Sequence, residues 1–314
     1  MKKLFKILAV LFLILLISGF TIYFYIDQGE IPSYPIEKID YQASVTPQAI
    51  ERGKKLTMML CTNCHTDPLT GELTGTRMLD APVEFGQIYS TNITQDLQYG
   101  IGNWSDAELL FLLRTGIKKD GQYSPPYMAK LPTMADEDIN AIIAFLKSND
   151  PLVQPKAVPN QESTPGFLTK FLCKIAWKPF EMPTQAIPMP DTQNTLEYGK
   201  YLAHNLDCFS CHSADFKSND FLNPEKSKGY FGGGNKTLNK NGEVILTTNL
   251  TPDHTHGIGK WTQDEFINSL KYGQKKEGGT VKYPMQPYPY LSDHEAASIY
   301  QYLKTIPALE TKIE

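Results

Sequence analysis

The stretches CTNCH (Cys61–His65) and CFSCH (Cys208–His212) repeat one arrangement of two cysteines and a histidine at two points in the chain. Together they hold four of the five cysteines among 314 residues. On a helix, residues three apart lie on the same face, so the two thiols of each stretch point the same way, beside the histidine. A spacing this specific, found twice, indicates two sites of the same kind.

Three kinds of chemistry use cysteines at this spacing. CxxCH is the attachment motif of c-type haem, in which the thiols bond to the vinyl groups and the histidine binds the iron. A structural zinc site would need two cysteine pairs converging on one metal, and a redox CxxC pair does not need the histidine. The histidine therefore favours two covalently attached haem c groups, held by Cys61, Cys64, His65, Cys208, Cys211 and His212.

An internal repeat predicts the sixth iron ligands. The stretch IGNWSDAELLFLLRTGIKKDGQ, from Ile101, matches IGKWTQDEFINSLKYGQKKEGG, from Ile258, at an offset of 157 residues. In this register Met128 falls on Met285, the only methionine after the second CxxCH. Thioether sulfur is a common partner of histidine on haem iron in electron carriers. We expect Met128 and Met285 to complete the two sites.

Met78 and Met134 are the alternatives for the first site, because no histidine follows His65 within the first repeat. Met134 aligns with Leu291 at the start of a helix, which indicates a core position. Methionine fills cores in most proteins.

Helix signals dominate both repeats. S/T-x-x-E capping boxes open three helices, at Ser105, Thr262 and Ser292, and the first two of these helices are expected to run to Gly116 and Gly273. Gly53 and Gly199, in the helices before the CxxCH motifs, are candidates for close crossing by the last helix of each repeat. Residues 229–248 contain Asn241-Gly242, a hairpin turn signal.

The N-terminus contains the longest apolar run. Lys2, Lys3 and Lys6 precede twenty residues without charge, Ile7–Ile26, enough to cross a bilayer core of about 30 Å. We expect an uncleaved anchor; a cleaved signal peptide is the alternative, although the run exceeds a typical signal core and no A-x-A motif follows. The lysines favour a cytoplasmic N-terminus and a periplasmic location for the rest of the chain.

Residues 151–194 are expected to link the repeats, because eight prolines lie between residues 149 and 195. The linker contains an amphipathic stretch, PGFLTKFLCKIAWKPF, with an apolar line of Phe167, Phe171 and Ile175 beside a basic line of Lys170, Lys174 and Lys178. A helix there could lie on a membrane surface; packing between the two domains is the interpretation that we prefer. Cys173 is expected to be a buried free thiol.

These features divide the chain into an anchor (1–27), a linker (28–42), a first domain (43–150), a Pro-rich linker (151–194) and a second domain (195–314).

The net charge of -4 supplies no basic surface for phosphates, so nucleic acid is excluded as a partner. Of the remaining histidines, His254 and His256 are expected on an exposed loop, and His204 and His294 at the surface.

The region from about Ala43 to Thr305 resembles a tandem dihaem c-type cytochrome, similar to the membrane-associated cytochrome c subunits of bacterial periplasmic dehydrogenases. The resemblance is carried by ERGKKL, EYGKYL, TNLTPDHTHGIGKWTQDEF, YPMQPYPYLSDHE and the closing FLK and YLK. It implies two tandem cytochrome c domains, and that Trp104, Trp261 and Arg114 approach haem propionates; core packing and a surface cation are the alternative roles. Such subunits often carry three haems and this chain has two motifs, so the identity of the partner does not carry over.

The resulting prediction is an all-α chain: one transmembrane helix and two cytochrome c domains, the second with a short hairpin insertion. It would be an electron carrier, and not itself an enzyme, in the inner membrane, exchanging single electrons with a dehydrogenase or a terminal oxidase. The alternative function is a dihaem peroxidase-type enzyme with one open iron, for which His254 and His256 could supply ligands or acid–base groups. A zinc module is the third possibility.

Overall fold

The computed structural model describes residues 2–313, which form mainly helices. The α-helices are α1 Lys2–Asp27, α2 Pro47–Leu60, α3 Thr62–His65, α4 Asp106–Thr115, α5 Asp136–Leu146, α6 Phe167–Ile175, α7 Thr195–Asn205, α8 Cys208–His212, α9 Gln263–Tyr272 and α10 Asp293–Leu303. Short 3₁₀ turns lie at Val83–Phe85, Pro151–Val153, Phe216–Ser218 and Pro224–Lys226. Helices α2–α5 belong to the first repeat and α7–α10 to the second.

Two small antiparallel pairs complete the fold. β1 (Gly86–Gln87) pairs with β2 (Thr164–Pro165), which ties the Pro-rich linker to the first domain. β3 (Lys236–Leu238) pairs with β4 (Val244–Leu246) around the turn at Asn241-Gly242. The glycine of this turn has φ of 78°, a conformation that side chains with a Cβ rarely adopt.

The helix ends lie where the sequence predicts them. Ser105, Thr262 and Ser292 each accept a hydrogen bond from the backbone N–H three residues later, and the glutamate at that position returns one to the cap residue. Gly116 and Gly273 end α4 and α9 with φ of 83° and 71°. Local capping chemistry therefore sets the bounds of these helices.

The first and last helices of each repeat cross in close contact. A Cβ added to Gly53 would lie 1.8 Å from the carbonyl oxygen of Ala141, and one added to Gly199 would lie 1.9 Å from that of Ser298. The predicted role of both glycines is therefore confirmed. The crossings bring α2 onto α5 and α7 onto α10, and fully buried side chains such as Leu56, Phe145 and Leu202 fill the core around them.

The N-terminal helix is apolar and unburied. α1 has a mean hydropathy of 2.7 over its most apolar window, and among residues 2–313 it is the helix that is long and apolar enough to cross a membrane. The last turn of α1 contacts the rest of the protein, as shown by Ile26, which is only 6% exposed.

Helix α6 packs against α1 and against the Val83–Phe85 turn, and not between the two domains as preferred from the sequence. The physical reason is the placement of its small residues. Thr169 and Cys173 are fully buried, and the hydroxyl of Thr169 donates to the carbonyl oxygen of Phe85 at 3.0 Å. Cys173 is a buried free thiol, as predicted.

Ionic groups join the two domains. Arg52, on α2, binds both oxygens of Asp138, with Nε and Nη2 at 2.8 and 2.9 Å, and its Nη1 reaches Glu295 Oε1 in the second domain at 2.9 Å. Lys55 also binds Glu295. Asp138 and Glu295 are only 0% and 4% exposed, so these charges are compensated in a largely dry contact.

The contact has approximate two-fold symmetry. Asp138 and Glu295 occupy the same position of the repeat, at the 157-residue offset. Tyr198 donates to Glu295 of its own domain at 3.1 Å, and Tyr201 donates to Asp138 of the other domain at 2.7 Å. Arg52 in ERGKKL corresponds to Tyr198 in EYGKYL. Each of the two buried carboxylates therefore binds side chains from both domains.

Replacing Gly53 with alanine should destabilise the fold, because the new methyl group would overlap the Ala141 carbonyl. Overpacking of this kind costs about 3 kcal/mol, more than the helix propensity gained from alanine. Thermal and urea unfolding of the holoprotein measure it. Glu51→Ala, an exposed change on the same helix, is the control; equal stability of the two variants would contradict the tight crossing.

The Glu295 carboxylate should make stability depend on acid pH. Burial raises its pKa, but hydrogen bonds from Lys55 and the Ser292 N–H, with the charges of Lys55 and Arg52, outweigh burial and lower the pKa from 4.5 to about 2. A depressed pKa stabilises the fold above pH 4.5, and this contribution is lost as the pH falls toward 2. Glu295→Gln should cost about 3 kcal/mol at pH 6, and its difference from the wild type should shrink over that window in acid unfolding curves.

Glu265→Gln is the matched control for this experiment. Glu265 caps α9 as Glu295 caps α10, but it is solvated and has no partner in the other domain among residues 2–313. Its substitution removes a capping carboxylate without touching the interface. If the two variants lost the same stability, the pH dependence would come from capping and not from the domain contact.

Candidate haem sites

Each CxxCH motif forms a short helix directly after a long one. Cys61 ends α2 and leads into α3, which contains Cys64 and His65. In the second repeat, Asp207 adopts φ of 60° and turns the chain from α7 into α8, Cys208–His212. The two thiols of each motif therefore lie on one helical turn, as covalent attachment to one macrocycle requires.

Cys61, Cys64 and Cys208 are half-buried, and Cys211 is exposed. Desolvation of the sulfur atoms nevertheless raises the pKa of all four thiols to about 12, so the free thiols are neutral at physiological pH. Among residues 2–313, no group of three or more His, Cys, Asp or Glu side chains is placed to hold a metal ion.

Both motif histidines are oriented by a backbone carbonyl. His65 Nδ1 lies 2.6 Å from the carbonyl oxygen of Thr91, and His212 Nδ1 lies 2.9 Å from that of Thr248. A carbonyl oxygen only accepts, so Nδ1 carries the proton and Nε2 keeps its lone pair. Burial lowers the pKa of both imidazoles, which favours the neutral ring that can bind iron.

The two threonines belong to a turn that occurs in both repeats. Asn92 Oδ1 accepts from the N–H and hydroxyl of Thr94 at 2.9 and 2.7 Å, and Asn249 does the same for Thr251 at 2.8 and 2.7 Å. These turns fix the carbonyls that orient the histidines. The sequence signal was present in the repeated Thr-Asn pair, but its role emerges only from the structure.

The two methionine loops are anchored in the same way. The N–H of Leu131, after Met128, donates to the Leu113 carbonyl at 2.7 Å. The N–H of Tyr288, after Met285, donates to the Leu270 carbonyl at 2.8 Å. Each loop is thus fastened to the helix of its repeat, α4 or α9, that precedes it, and both methionines are half-buried.

Other side chains hold the first loop. The Ser124 hydroxyl donates to Met128 Sδ at 3.5 Å, and Lys130 Nζ donates to the Pro125 carbonyl at 2.7 Å. Burial lowers the pKa of Lys130 to about 7. Sequence reasoning missed both residues, because neither has a counterpart of the same type in the second repeat.

The alternative methionines differ in their surroundings. Met134 is only 1% exposed and lies in the hydrophobic core, as the alignment with Leu291 indicates. Met78 is half-buried and its N–H pairs with the Ile88 carbonyl.

Arg114 is tied to the polypeptide. Its Nη1 donates to the carbonyl oxygens of Leu131 and Met134 at 2.9 and 2.6 Å, and its Nη2 binds Asp136 at 2.5 Å. It therefore clamps the chain after the Met128 loop, and Lys271 repeats the ion pair in the second domain with Asp293. Contact with a propionate stays a prediction for Arg114.

Trp104 and Trp261 are half-buried at equivalent positions of the repeat. Lys119 lies 5.5 Å above the ring centre of Trp104. The Trp261 carbonyl accepts from the Tyr300 hydroxyl at 2.6 Å. Contact of these indoles with propionates likewise stays a prediction.

The two motifs lie within electrostatic range of each other. Beyond burial, a charge on Cys64 raises the pKa of Cys211, and charges on Cys208, Cys211 and Cys64 add to the effect of burial in raising the pKa of Tyr288. The rings of Phe85 and Phe216, one from each domain, lie 6.0 Å apart. This proximity could not be read from motifs that are 147 residues apart in the sequence.

The other four histidines differ in their surroundings. His254 is exposed, and the N–H of His256 is bound by Asp253 at 2.6 Å, so both lie on a hydrogen-bonded loop. His294 is exposed, as predicted. The surface position predicted for His204 is wrong: its ring packs edge-on against Phe209, Tyr230 and Tyr302, and burial lowers its pKa to about 4.

The residues present fit two haem c groups. Each motif has a pair of neutral thiols on one turn and a histidine with a free Nε2, and each repeat also has a methionine on an anchored loop. The arrangement recurs with the same hydrogen bonds in both repeats, which a single accidental cluster would not do.

Comparison with known proteins agrees with this chemistry. The chain is 27% identical over 260 residues to the gluconate 2-dehydrogenase cytochrome c subunit of Pantoea cypripedii, covering 79% of this chain and 57% of that protein. It is 27% identical over 273 residues to the cytochrome c subunit of the quinone alcohol dehydrogenase of Gluconobacter oxydans, covering 83% and 55%. The chain thus spans little more than half the length of these relatives.

A third relative is similar in length. The chain is 28% identical over 268 residues to a diheme cytochrome c-type protein of Cereibacter sphaeroides, covering 80% of this chain and 83% of that protein. The Cytochrome c family profile matches twice, over residues 50–150 and 196–307, and each match contains one CxxCH motif. The chain belongs to the cytochrome c family.

Proposed function

We propose that this chain is a membrane-anchored dihaem electron carrier whose two irons are both capped by histidine and methionine. The observation that carries the proposal is a pair of features found in both repeats: a histidine fixed through Nδ1 by a backbone carbonyl, and a methionine loop fastened to the preceding helix. When bound, haem c supplies one-electron oxidation and reduction at its iron.

The chain's own residues would perform three tasks. Cys61, Cys64, Cys208 and Cys211 would hold the two groups covalently. His65 and His212 would bind each iron on one side, with Met128 and Met285 on the other, so that no position stays open for a substrate. The hydrophobic core, against which Cys208 and Met285 pack, would limit the access of water to the second site.

The placement of the two sites supports transfer within one molecule. The ionic cluster of Arg52, Asp138 and Glu295 fixes the domains against each other, and Cys64 and Cys211 lie near one another across the contact. A fixed, short separation is what an intramolecular relay needs. One site would then receive electrons and the other deliver them.

We further propose that α1 anchors the protein in the inner membrane with the haem domains on the periplasmic side. Lys2, Lys3 and Lys6 at the start of α1 support a cytoplasmic N-terminus. Tyr23 and Tyr25, near its end, expose 46% and 71% of their surface, as interfacial aromatic residues do.

The names of the relatives suggest the partner class. Two are cytochrome c subunits of dehydrogenases, so we propose a periplasmic dehydrogenase as electron donor and a terminal oxidase as the final acceptor. The domain bounds 43–150 and 195–314 enclose the matched regions. We interpret the β3–β4 hairpin as an insertion that the first repeat lacks.

Removal of either methionine should open its iron. Met128→Leu and Met285→Leu keep the apolar volume but remove the sulfur ligand, so each variant should keep both haems and convert one of them from a low-spin to a high-spin visible spectrum. Met134→Leu is the control, because Met134 lies in the core. A low-spin spectrum in a Met128 or Met285 variant would overturn that ligand assignment.

Loss of both cysteines of a motif should reduce covalent haem. Replacing both cysteines of one motif, Cys61 and Cys64 or Cys208 and Cys211, with alanine leaves no thiol for a thioether bond, so intact-mass spectrometry should show protein with one covalent haem where the wild type carries two. Cys173→Ala, which removes the buried free thiol, should keep both. Two fully retained haems in either motif variant would contradict the proposed attachment.

A further inference from the structure

Helix α6 buries only one of its sides in the protein. Thr169 and Cys173 are fully buried and lie on the same side. Because successive helical residues are rotated by about 100°, Leu168, Phe171 and Ile175 lie on the opposite side. Ile175 is 60% exposed, and Leu168 and Phe171 are half-buried. These three residues, here named the outer face of α6, are apolar although they point away from the core.

The outer face lies beside the end of the apolar helix α1. The Phe167 ring stacks on Tyr23 with centroids 4.8 Å apart. Lys170 donates to the carbonyl of Asp27, the last residue of α1, and Lys174 lies 5.1 Å from the ring centre of Tyr25. Helix α6 is therefore held at the level where α1 would leave a bilayer.

Two lysines on α6 and one just after its end carry charge that the protein does not neutralise. Lys170, Lys174 and Lys178 contact backbone carbonyls and a ring, and among residues 2–313 none of them forms an ion pair with a carboxylate. Carbonyls at helix ends use only part of the donor capacity of an ammonium group. Their remaining donors suit phosphate oxygens.

We propose that α6 lies on the periplasmic surface of the inner membrane, with its outer face among the upper acyl carbons and with Lys170, Lys174 and the following Lys178 against the phosphates of anionic phospholipids. This inference rests on the proposed membrane anchor and adds a second membrane contact to it. The buried bond from Thr169 to the Phe85 carbonyl would then hold the first haem domain at a fixed height above the bilayer.

Lipid photocrosslinking tests the proposal on the full-length holoprotein. Vesicles of phosphatidylcholine and phosphatidylglycerol would carry a phospholipid with a diazirine high on its acyl chain, and mass spectrometry would map the crosslinks. Residues 167–175 should be labelled about tenfold more than the exposed hairpin 236–246. Labelling of α1 alone would overturn the role of α6 and leave the anchor intact; absence of label from α1 would overturn both.

Two matched variants sharpen the test. Ile175 and Val244 are 60% and 61% exposed, one on the outer face of α6 and the other on the hairpin. Ile175→Glu should lower labelling of α6 about fivefold, while Val244→Glu should leave it unchanged; an unchanged yield in Ile175→Glu would contradict insertion of the face. In phosphatidylcholine alone the α6 yield should fall about threefold, and equal yields would overturn the role assigned to the lysines.

Discussion

The close crossing of two helices in each repeat is the constraint on which the rest of the structure depends. Gly53 and Gly199 let the backbones of α2 and α7 approach those of α5 and α10 to distances that no Cβ would allow. Each crossing fixes where the helix before the CxxCH motif ends, and so where its thiols and histidine emerge. The core, the histidine-orienting turn and the methionine loop are all arranged around that point.

A second constraint acts between the repeats. Asp138 and Glu295, equivalent by the repeat, are almost fully buried and are neutralised by Arg52 and Lys55 with help from two tyrosines. Buried charges of this kind are costly unless every partner is in place, so they favour one arrangement of the domains over others. That arrangement brings the two CxxCH motifs near each other, as electron transfer between the two proposed haems requires.

The features readable from the sequence were those that local chemistry determines. The CxxCH spacing, the capping boxes, the αL glycines and the 157-residue register each depend on residues near each other in the chain, and the structure places helices where these signals predict them. Even the crossing glycines could be recognised, because each lies in a matching stretch, ERGKKL or EYGKYL, shortly before its motif.

The features that could not be predicted from the sequence depend on contacts between residues that are far apart in the chain. Arg52 and Glu295 are 243 residues apart, and the counterpart of Arg52 in the second repeat is a tyrosine, so no pattern marks the pair. His204 was placed at the surface because its type is polar, whereas Tyr230 and Tyr302 enclose it. Helix α6 was placed between the domains because amphipathicity shows that a helix has a buried side but not which neighbour buries it.

The most direct test of the central claim is the visible spectrum of the reduced native holoprotein before and after addition of carbon monoxide. If histidine and methionine cap both irons, carbon monoxide finds no open position and the spectrum stays unchanged. A shift in the bands of one haem would reveal an open iron, contradict the electron-carrier account, and favour a peroxidase-type enzyme.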